Sequence, residues 1–242
     1  MTTPLLSLEG VHTHIGHYHI LQGVDLSLPR GELTVLLGRN GAGKTTTLRT
    51  IINLWQASKG RIVFDGEDIT HWRTPRIVSR LGVGYVPENM GIFSLLTVQE
   101  NMRLAAATRH IDISRLEWIF GFFPALKKFW KTPAGLLSGG QKQMLAIARA
   151  IIEPRALLII DEPSKGLAPA IVKDLIQAIL ELKQTDTTIL LVEQNFGLAQ
   201  AVGDQVAVMD DGRVVHASSM AELTADTPLQ NRLLGLSLEA HA

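Results

Sequence analysis

Short apolar runs alternate with turns in the first 86 residues, and this pattern predicts strands. Three strands are predicted at 5–11, 18–28 and 33–37, with turns at Gly16-His17 and Pro29-Arg30-Gly31. Another is predicted at 61–64, ahead of an Asp65-Gly66 hairpin turn, and a short one at 83–86, which stops at Pro87. A helix is predicted at 44–54, directly after the third strand.

The pattern changes after residue 86. From 88 to 154 the apolar positions follow helical spacing, including a helix at 141–152. A continuous apolar run at 156–160 indicates a buried parallel strand, and a second buried strand is predicted at 188–192, with a helix at 171–182 between them. A hairpin is predicted at 206–217, and the stretch from Met220 onward is predicted to be helical. We therefore predict an α/β core, residues 1–86 and 155–242, with a helical subdomain inserted at 87–154.

Composition supports a globular protein with a sizeable core. The 242 residues are 46% hydrophobic and 19% charged. Lys plus Arg equals Asp plus Glu at 23 each, which argues against binding nucleic acid through net charge. The chain contains no cysteine, so disulfides and thiol chemistry are excluded. The N-terminus lacks the basic start of a signal peptide, and no apolar run approaches the length of a membrane span.

The third strand leads into a glycine-rich loop that fits the pattern G-x-x-x-x-G-K-[ST]. The nucleotide-binding residues predicted from it are Gly38, Arg39, Asn40, Gly41, Ala42, Gly43, Lys44, Thr45 and Thr46. Backbone N–H groups of such a loop, and the positive end of the helix that follows, surround a chain of phosphates. We expect Lys44 to reach the outer phosphates and Thr45 to bind Mg²⁺, with Thr46 beside it.

Two acids follow the apolar run at 157–160. A buried strand that ends in Asp161 and Glu162 places them at its carboxyl end, where open α/β sheets bind ligands. We expect Asp161 to hold Mg²⁺ and Glu162 to orient and polarise the attacking water. The alternative is a pair of solvated loop acids, which the upstream phosphate loop disfavours.

A third motif consists of Leu137, Ser138, Gly139, Gly140 and Gln141. Ser138 is a suitable N-cap for the helix that follows, and two glycines at a helix start leave N–H groups open to an anion. The chain thus carries two helix starts suited to phosphate. One nucleotide can use both only if the fold, or a second subunit, brings them together. The alternative is a simple helix cap.

These three motifs, in this order, resemble ATP-binding cassette (ABC) ATPases over essentially the whole chain. The resemblance implies a P-loop NTPase fold of the ABC ATPase type, with a mostly parallel sheet, an antiparallel β subdomain and an inserted helical subdomain. It implies ATP and Mg²⁺ as cofactors and two cassettes paired head to tail. Ser138, Gly139 and Gly140 would then bind the γ-phosphate of ATP held by the partner cassette.

Several positions resemble one branch of this family, the second ATPase subunit of bacterial branched-chain amino acid importers. Glu88 replaces the family's usual Gln, Gln194 its usual switch His and Ala168 its usual Asp. By this resemblance Glu88 is a metal ligand and Gln194 a catalytic residue. The resemblance also implies a peripheral subunit on the cytoplasmic face of the bacterial inner membrane. It would pair with itself or a sister ATPase, two permeases and, indirectly, a solute-binding protein.

Three positions depart from that branch. Asn89-Met90-Gly91 replaces a usual Gly-Arg-Arg run, and Lys165 stands where an aliphatic residue is common. Ile15 takes the place of the Tyr that normally stacks on adenine. Tyr18 is close enough to replace it, but its position on a strand favours a core aromatic.

Two clusters have less specific interpretations. Histidines 12, 14, 17 and 19 suggest either a metal site or, with no nearby acid pair, an exposed sheet edge, which we favour. The helical insertion contains six large aromatics: Trp118, Phe120, Phe122, Phe123, Phe129 and Trp130. We expect most of them to form its core, with an exposed subset as an alternative permease contact. Lys127, Lys128 and Lys131 are expected to form a solvated face.

The sequence therefore favours an ATP-hydrolysing subunit of an ABC importer for branched-chain amino acids or a related amino acid, amide or organic solute. One alternative is a soluble ABC-type ATPase that acts on nucleic acid or ribosomes. A single cassette without a basic stripe disfavours it. Another is a module that holds ATP without cleaving it, which Lys44, Asp161 and Glu162 argue against.

Overall fold

Two separate sheets organise the protein in the computed structural model, which describes residues 3–108 and 110–235. The strands are β1 (Leu6–Ile15), β2 (Tyr18–Leu28), β3 (Leu33–Gly38), β4 (Ala57–Phe64), β5 (Glu67–Asp68), β6 (Val83–Val86), β7 (Leu157–Asp161), β8 (Thr188–Val192), β9 (Gln205–Asp210) and β10 (Arg213–Ser219). A six-stranded sheet has the order β10-β9-β3-β8-β7-β6, and a four-stranded sheet has the order β2-β1-β4-β5.

The helices cover both faces of the six-stranded sheet. They are α1 (Lys44–Ile51), α2 (Thr74–Arg80), α3 (Val98–Ala105), α4 (Ile113–Phe122), α5 (Pro124–Lys128), α6 (Gly139–Ala150), α7 (Pro169–Leu182), α8 (Phe196–Val202), α9 (Met220–Ala225) and α10 (Thr227–Leu234), with a 3₁₀ turn at Ala134–Leu136. None of the helices in the described part of the chain is long and apolar enough to cross a membrane.

The six-stranded sheet is parallel except at one edge. Strands β9, β3, β8, β7 and β6 pair in parallel, and only β10 runs antiparallel, against β9. The carboxyl ends of five neighbouring strands therefore meet at one side of the sheet. The other sheet is antiparallel throughout. This arrangement confirms the predicted combination of a mostly parallel core and an antiparallel β portion.

Side chains point alternately to the two faces of the central strands, and each face has its own hydrophobic core. Val35 and Leu37 of β3 belong to the core that includes buried residues of α3, α4, α6 and α7. Leu36 points the other way and packs with α1 and with the inner face of the antiparallel sheet. Because β7 and β8 are buried along their whole length, both sides of the sheet are covered.

Most predicted elements are confirmed, with differences at their ends. The predicted helix at 44–54 ends at Ile51, because Asn53 takes a left-handed conformation (φ 56°). Its side-chain amide donates to the carbonyl oxygens of Ile69, Thr70 and Trp72. Helices α2 and α8, each only seven residues long, were not predicted.

The segment 87–154 is helical as predicted. Apart from residue 109, which lies outside the described part, it contains helices, turns and one isolated bridge between Thr97 and Pro133. Its core is continuous with the core on one face of the central sheet. The division into units at residues 87 and 154 stays a prediction. Of the six aromatics, Phe120 and Phe123 are buried and the other four pack partly buried against the same core, as expected for a core contribution. The alternative permease contact stays a prediction.

A single buried side chain holds the loop that leads into these helices. Asn101 of α3 is fully buried. Its Oδ1 accepts from the Phe93 N–H (2.9 Å), and its Nδ2 donates to the carbonyl oxygens of Phe93 (3.0 Å) and Thr97 (3.0 Å). A capping box of Thr97 and Glu100 starts the same helix. Together these contacts fix the path of residues 93–97.

We expect Asn101→Ala to lower the free energy of unfolding by about 2–4 kcal/mol, because it leaves several backbone groups without partners in a buried place. Chemical denaturation of the nucleotide-free protein measures this change. Arg103→Ala, on the exposed side of the same helix, is the matched control and should change stability by less than about 0.5 kcal/mol. Equal stabilities for the two variants would contradict the role assigned to Asn101.

Candidate functional site

The phosphate loop lies at the carboxyl end of β3 and leads directly into α1. Gly43, the residue before α1, has φ 104°, and a Cβ there would lie 3.0 Å from Leu21 Cδ2, so glycine is required. Lys44 is 5% exposed, and its Nζ donates to the carbonyl oxygens of Gly38 (2.8 Å) and Arg39 (3.1 Å). The ammonium is thus held inside the loop.

A cavity of about 280 Å³ opens beside this loop. It is lined by Ile20, Asn40, Gly41, Gly43, Lys44, Thr45, Thr46, Glu88, Glu162 and Lys165. A larger cleft of about 500 Å³ lies between the two sheets, but its lining contains no Lys or Arg. Unlike this cleft, the smaller cavity combines two ammonium groups with the glycine-rich loop, which suits it to an anionic ligand.

Glu162 faces the cavity from the end of β7. Its Oε1 lies 3.4 Å from Lys44 Nζ and accepts from Gln194 Nε2 at 2.7 Å. Gln194 follows β8, and its Nε2 also lies 2.8 Å from Asn40 Oδ1 of the phosphate loop. The Glu162 backbone is left-handed (φ 45°), and its N–H donates to the Val192 carbonyl oxygen at 2.9 Å. A strained backbone at a site residue is typical of functional positions.

Asp161 lies beneath the cavity. Its Oδ1 accepts from the Thr45 hydroxyl at 3.2 Å, whereas its Oδ2 is buried and has no hydrogen-bond partner. Burial raises the pKa of Asp161 to about 6, an effect that the hydrogen bond from Thr45 partly opposes. A buried carboxylate with a free oxygen is suited to binding a cation.

Glu88 closes the cavity from the end of β6, and its partner is a lysine. Glu88 Oε1 lies 2.5 Å from Lys165 Nζ, and the same ammonium is 3.7 Å from Glu162 Oε2. Hydrogen bonding to Glu88 raises the pKa of Lys165, so this side chain is cationic at neutral pH. The structure therefore brings together all the predicted residues of the phosphate loop, the acid pair, Glu88 and Gln194.

Glu193 is a buried residue whose role the sequence analysis did not identify. It is 1% exposed. Its carboxylate accepts from the N–H and hydroxyl of Ser164 and from the N–H groups of Gln194 and Asn195. Burial raises the pKa of Glu193, and these four donors oppose that effect. Glu193 ties the loop after β7 to the loop after β8. The signal that could have identified Glu193 is its position: it is an acid directly after a buried strand, as Asp161 and Glu162 are at the end of β7.

The third motif lies at the start of α6, away from this cavity. Ser138 caps the helix, as its sequence position predicted, although the helix begins at Gly139 rather than at Gln141. Ser138 also forms a capping box with Gln141, which was not predicted. Gly140 packs against α7, where a Cβ would lie 2.5 Å from Ile171 Cγ2. Leu137, Ser138, Gly139, Gly140 and Gln141 are absent from the residues that line the cavity. Within one chain, the two helix starts therefore do not share a ligand.

The favoured interpretation of Tyr18 as a core aromatic is wrong. Tyr18 is 76% exposed. It pairs with Ile15 at the end of the β1–β2 hairpin, past the last pair of buried residues, Thr13 and Leu21. The pairing shifts at Ile20, which lines the cavity. Tyr18 thus projects from the strand that borders the cavity.

His12 and His14 lie on β1 and His19 lies on the edge strand β2, all on the solvent-facing side of the antiparallel sheet. His17 lies in the turn between these two strands. His14 and His19 are cross-strand partners with stacked rings 4.2 Å apart, and His12 Nδ1 lies 2.9 Å from His19 Nε2. Among the described residues no three His, Cys, Asp or Glu side chains are arranged to hold a metal by themselves. The exposed position agrees with the favoured prediction.

We expect Asp161→Asn to raise the free energy of unfolding of the nucleotide-free protein by about 1–3 kcal/mol at pH 7, because it removes a buried charge. The folded-state pKa lies above the unfolded value, so protonated Asp161 stabilises the fold below about pH 4, and this contribution is lost as pH rises to about 6. The difference between variant and parent should therefore grow over that range and stay constant above it.

Denaturant titrations between pH 4 and pH 8 measure this difference. Asp174→Asn, on the exposed side of α7, is the matched control and should change stability little at any pH. If the Asp161→Asn variant is less stable than the parent at pH 7, the buried negative charge of Asp161 does not lower the free energy of unfolding.

Comparisons with known proteins agree with this geometry. The family of ABC transporters matches residues 21–165. The branched-chain amino acid transport ATP-binding protein BraG of Pseudomonas aeruginosa is 36% identical over 233 residues, which cover 96% of this chain and 100% of BraG. The probable branched-chain amino acid transport ATP-binding protein LivF of Archaeoglobus fulgidus is 34% identical over 221 residues, 90% of this chain and 93% of LivF.

Solved structures give the same result. MJ1267 in its ADP conformation, an ATP-binding cassette of an ABC transporter, superposes with a TM-score of 0.80 at 25% identity. The alignment covers 97% of this chain and 100% of MJ1267. The phosphate loop, the acid pair after β7 and the whole-chain similarity lead to one conclusion: the chain belongs to the ABC transporter family and is an ATPase of that family.

Proposed function

We propose that this chain is the ATP-hydrolysing subunit of an importer for branched-chain amino acids or a related amino acid, amide or organic solute. The observation that carries the ATPase assignment is the contact of Lys44, Glu162, Gln194 and Asn40 around one cavity. The solute class rests on similarity to BraG and LivF along nearly the whole chain. BraG, LivF and MJ1267 are all named as transport proteins or transporter cassettes, and these names give no support to the nucleic-acid alternative.

Nucleotide binding begins with the phosphate loop. The Lys44 ammonium already has two carbonyl acceptors, so it is oriented before a phosphate arrives. The backbone of residues 38–46 and the start of α1 add N–H donors. Tyr18 is an exposed aromatic on the strand that borders the cavity, which supports it, rather than Ile15, as the side chain that stacks on adenine.

The residues around Asp161 fit a magnesium ion. The free Oδ2 of Asp161, the Thr45 hydroxyl and the Glu88 carboxylate supply oxygen atoms at the floor and mouth of the cavity. Mg²⁺ prefers such oxygens together with substrate phosphates and water. When bound, the ion would neutralise phosphate charge. Such an ion would also supply a positive charge next to the Asp161 carboxylate.

Glu162 is the proposed general base. Its carboxylate faces the cavity and is oriented by Lys44 and Gln194. It can accept a proton from a water molecule that attacks the terminal phosphate. Gln194 lies between Glu162 and the phosphate loop, so its amide can hold that water and the carboxylate in one geometry.

The position of Ser138 outside the cavity supports pairing of two cassettes. Ser138, Gly139 and Gly140 form a helix start suited to phosphate but do not line the chain's own cavity, so they are available to a partner's site. The partner is a second copy or a sister ATPase. Phe93, Leu95 and Leu136 are exposed on adjoining loops and form the apolar surface proposed to contact a permease. The chain would then lie on the cytoplasmic face of the membrane.

We expect Glu162→Gln to slow phosphate release by about 10²–10⁴-fold while ATP binding is kept, because the amide cannot accept the proton. Phosphate release and binding of a fluorescent ATP analogue measure the two effects. In native cells that lack the gene, the parent chain should restore uptake of labelled leucine and the variant should not.

Two variants control this experiment. Glu181→Gln, an exposed residue of α7, should behave as the parent in every assay. Lys44→Ala should lose the binding signal itself. Phosphate release by Glu162→Gln at the parent rate would refute the role of Glu162. Retained hydrolysis without effect on leucine, isoleucine or valine uptake would refute the solute class alone. Purification with RNA rather than with membranes would favour the nucleic-acid alternative.

Head-to-tail pairing predicts a specific cross-link. Because the chain has no cysteine, Ser138→Cys and Asn40→Cys introduce unique thiols. If the chain pairs with itself, a mixture of the two single variants should give a disulfide-linked dimer when ATP and Mg²⁺ are present. Each variant alone should give little, because its thiols would lie at opposite ends of the interface. Equal cross-linking with and without nucleotide would contradict pairing around ATP.

A further inference from the structure

Lys165 places an ammonium between two carboxylates of the cavity. Its Nζ lies 2.5 Å from Glu88 Oε1 and 3.7 Å from Glu162 Oε2. Glu88 comes from the end of β6 and Glu162 from the end of β7, so this one side chain connects two strand ends. All three residues line the cavity.

The pair with Glu88 is too exposed to be important for folding. The side chains of Lys165 and Glu88 are 58% and 43% exposed, and exposed ion pairs contribute little to stability. The base of Lys165 is nevertheless fixed, because the preceding residue, Ser164, is buried and bonded to Glu193. A long side chain on a fixed backbone can leave one carboxylate while its loop stays in place.

The charges in the cavity lining make the Lys165 ammonium a competitor of a divalent cation for Glu88. The charged residues in its lining are Lys44, Glu88, Glu162 and Lys165. Lys44 is committed to the phosphate loop and Glu162. Glu88 is the lining carboxylate that remains for a divalent cation, and Lys165 already occupies one of its oxygens. A cation and an ammonium cannot both be close to that oxygen without repulsion.

Two of the three sequence departures noted above lie next to Glu88, one in sequence and one in the structure. The basic run expected next to Glu88 is replaced by Asn89-Met90-Gly91, while a basic residue occurs at Lys165 instead. The positive charge at Glu88 comes from Lys165, in the loop after β7. An aliphatic side chain at 165 would leave Glu88 without this partner.

We propose that Lys165 is a positioning residue that competes with the divalent cation for Glu88 and so sets the Mg²⁺ concentration that the nucleotide site requires. Without nucleotide the ammonium neutralises Glu88. Binding of the nucleotide with its cation displaces the ammonium toward solvent. This inference rests on the proposed function, because it assumes that the cavity takes a metal–nucleotide complex.

The test compares four proteins: the parent, Lys165→Met, Glu88→Gln and the double variant. Methionine keeps an unbranched side chain of nearly the same length without the charge. The readouts are the Mg²⁺ concentration for half-maximal binding of a fluorescent, non-hydrolysable ATP analogue, and Mn²⁺ binding to the same complex by electron paramagnetic resonance. Neither depends on turnover.

We expect Lys165→Met to lower the half-saturating Mg²⁺ concentration by about two- to fivefold, the range for loss of an exposed ion pair. Glu88→Gln should raise it, and adding Lys165→Met to that variant should then change nothing. Lys173→Met, an exposed lysine of α7, is the control for net charge and should match the parent. Thermal unfolding of each variant checks that all of them are folded.

Three outcomes would overturn the inference. A higher Mg²⁺ requirement in Lys165→Met would show that the ammonium assists the site. Weaker nucleotide binding without metal would make Lys165 a phosphate ligand. An equal effect with Gln at position 88 would exclude competition at that carboxylate. If the parent itself shows no Mg²⁺-dependent nucleotide binding, the proposed function fails instead, which separates the two conclusions.

Discussion

The rest of the site depends on the contacts that the buried Lys44 ammonium makes. A charge this well removed from water is costly unless it is paired and hydrogen-bonded. Two carbonyl oxygens of the phosphate loop and the carboxylate of Glu162 fulfil that condition. The loop must therefore keep its curved path, and β7 must end next to β3. Gln194 and Asn40 complete the same contact from β8 and from the loop.

The parallel sheet makes this convergence possible. Strands β3, β8, β7 and β6 are neighbours, and each ends at the same side of the sheet. Each contributes one element: the phosphate loop, Gln194, the acid pair and Glu88. Antiparallel neighbours would send alternate loops to opposite ends of the sheet. Glu193 then fixes two of these loops to each other, which keeps Glu162 and Gln194 in a single geometry.

The same arrangement places two carboxylates, Asp161 and Glu88, whose negative charge the chain balances only in part. Asp161 has a buried oxygen without a partner, while Glu88 is neutralised by an exposed lysine. These two carboxylates lie near the ligand cavity but differ in burial, and so in the dielectric around them. We therefore propose Asp161 as the stronger cation site and Glu88 as the adjustable one.

The sequence by itself determined the strands of the central sheet, the phosphate loop, the acid pair and the cap at Ser138. These features are local: apolar runs, glycine spacing and a capping residue carry their own physical signal. Only the tertiary structure decided that Glu162 contacts Lys44 and Gln194, that Glu193 bonds to two loops and that Lys165 pairs with Glu88. It also decided that Tyr18 is exposed and that the helix after the loop ends at Ile51. These contacts join residues far apart in the chain, or depend on which neighbour covers a surface, and no local pattern encodes them.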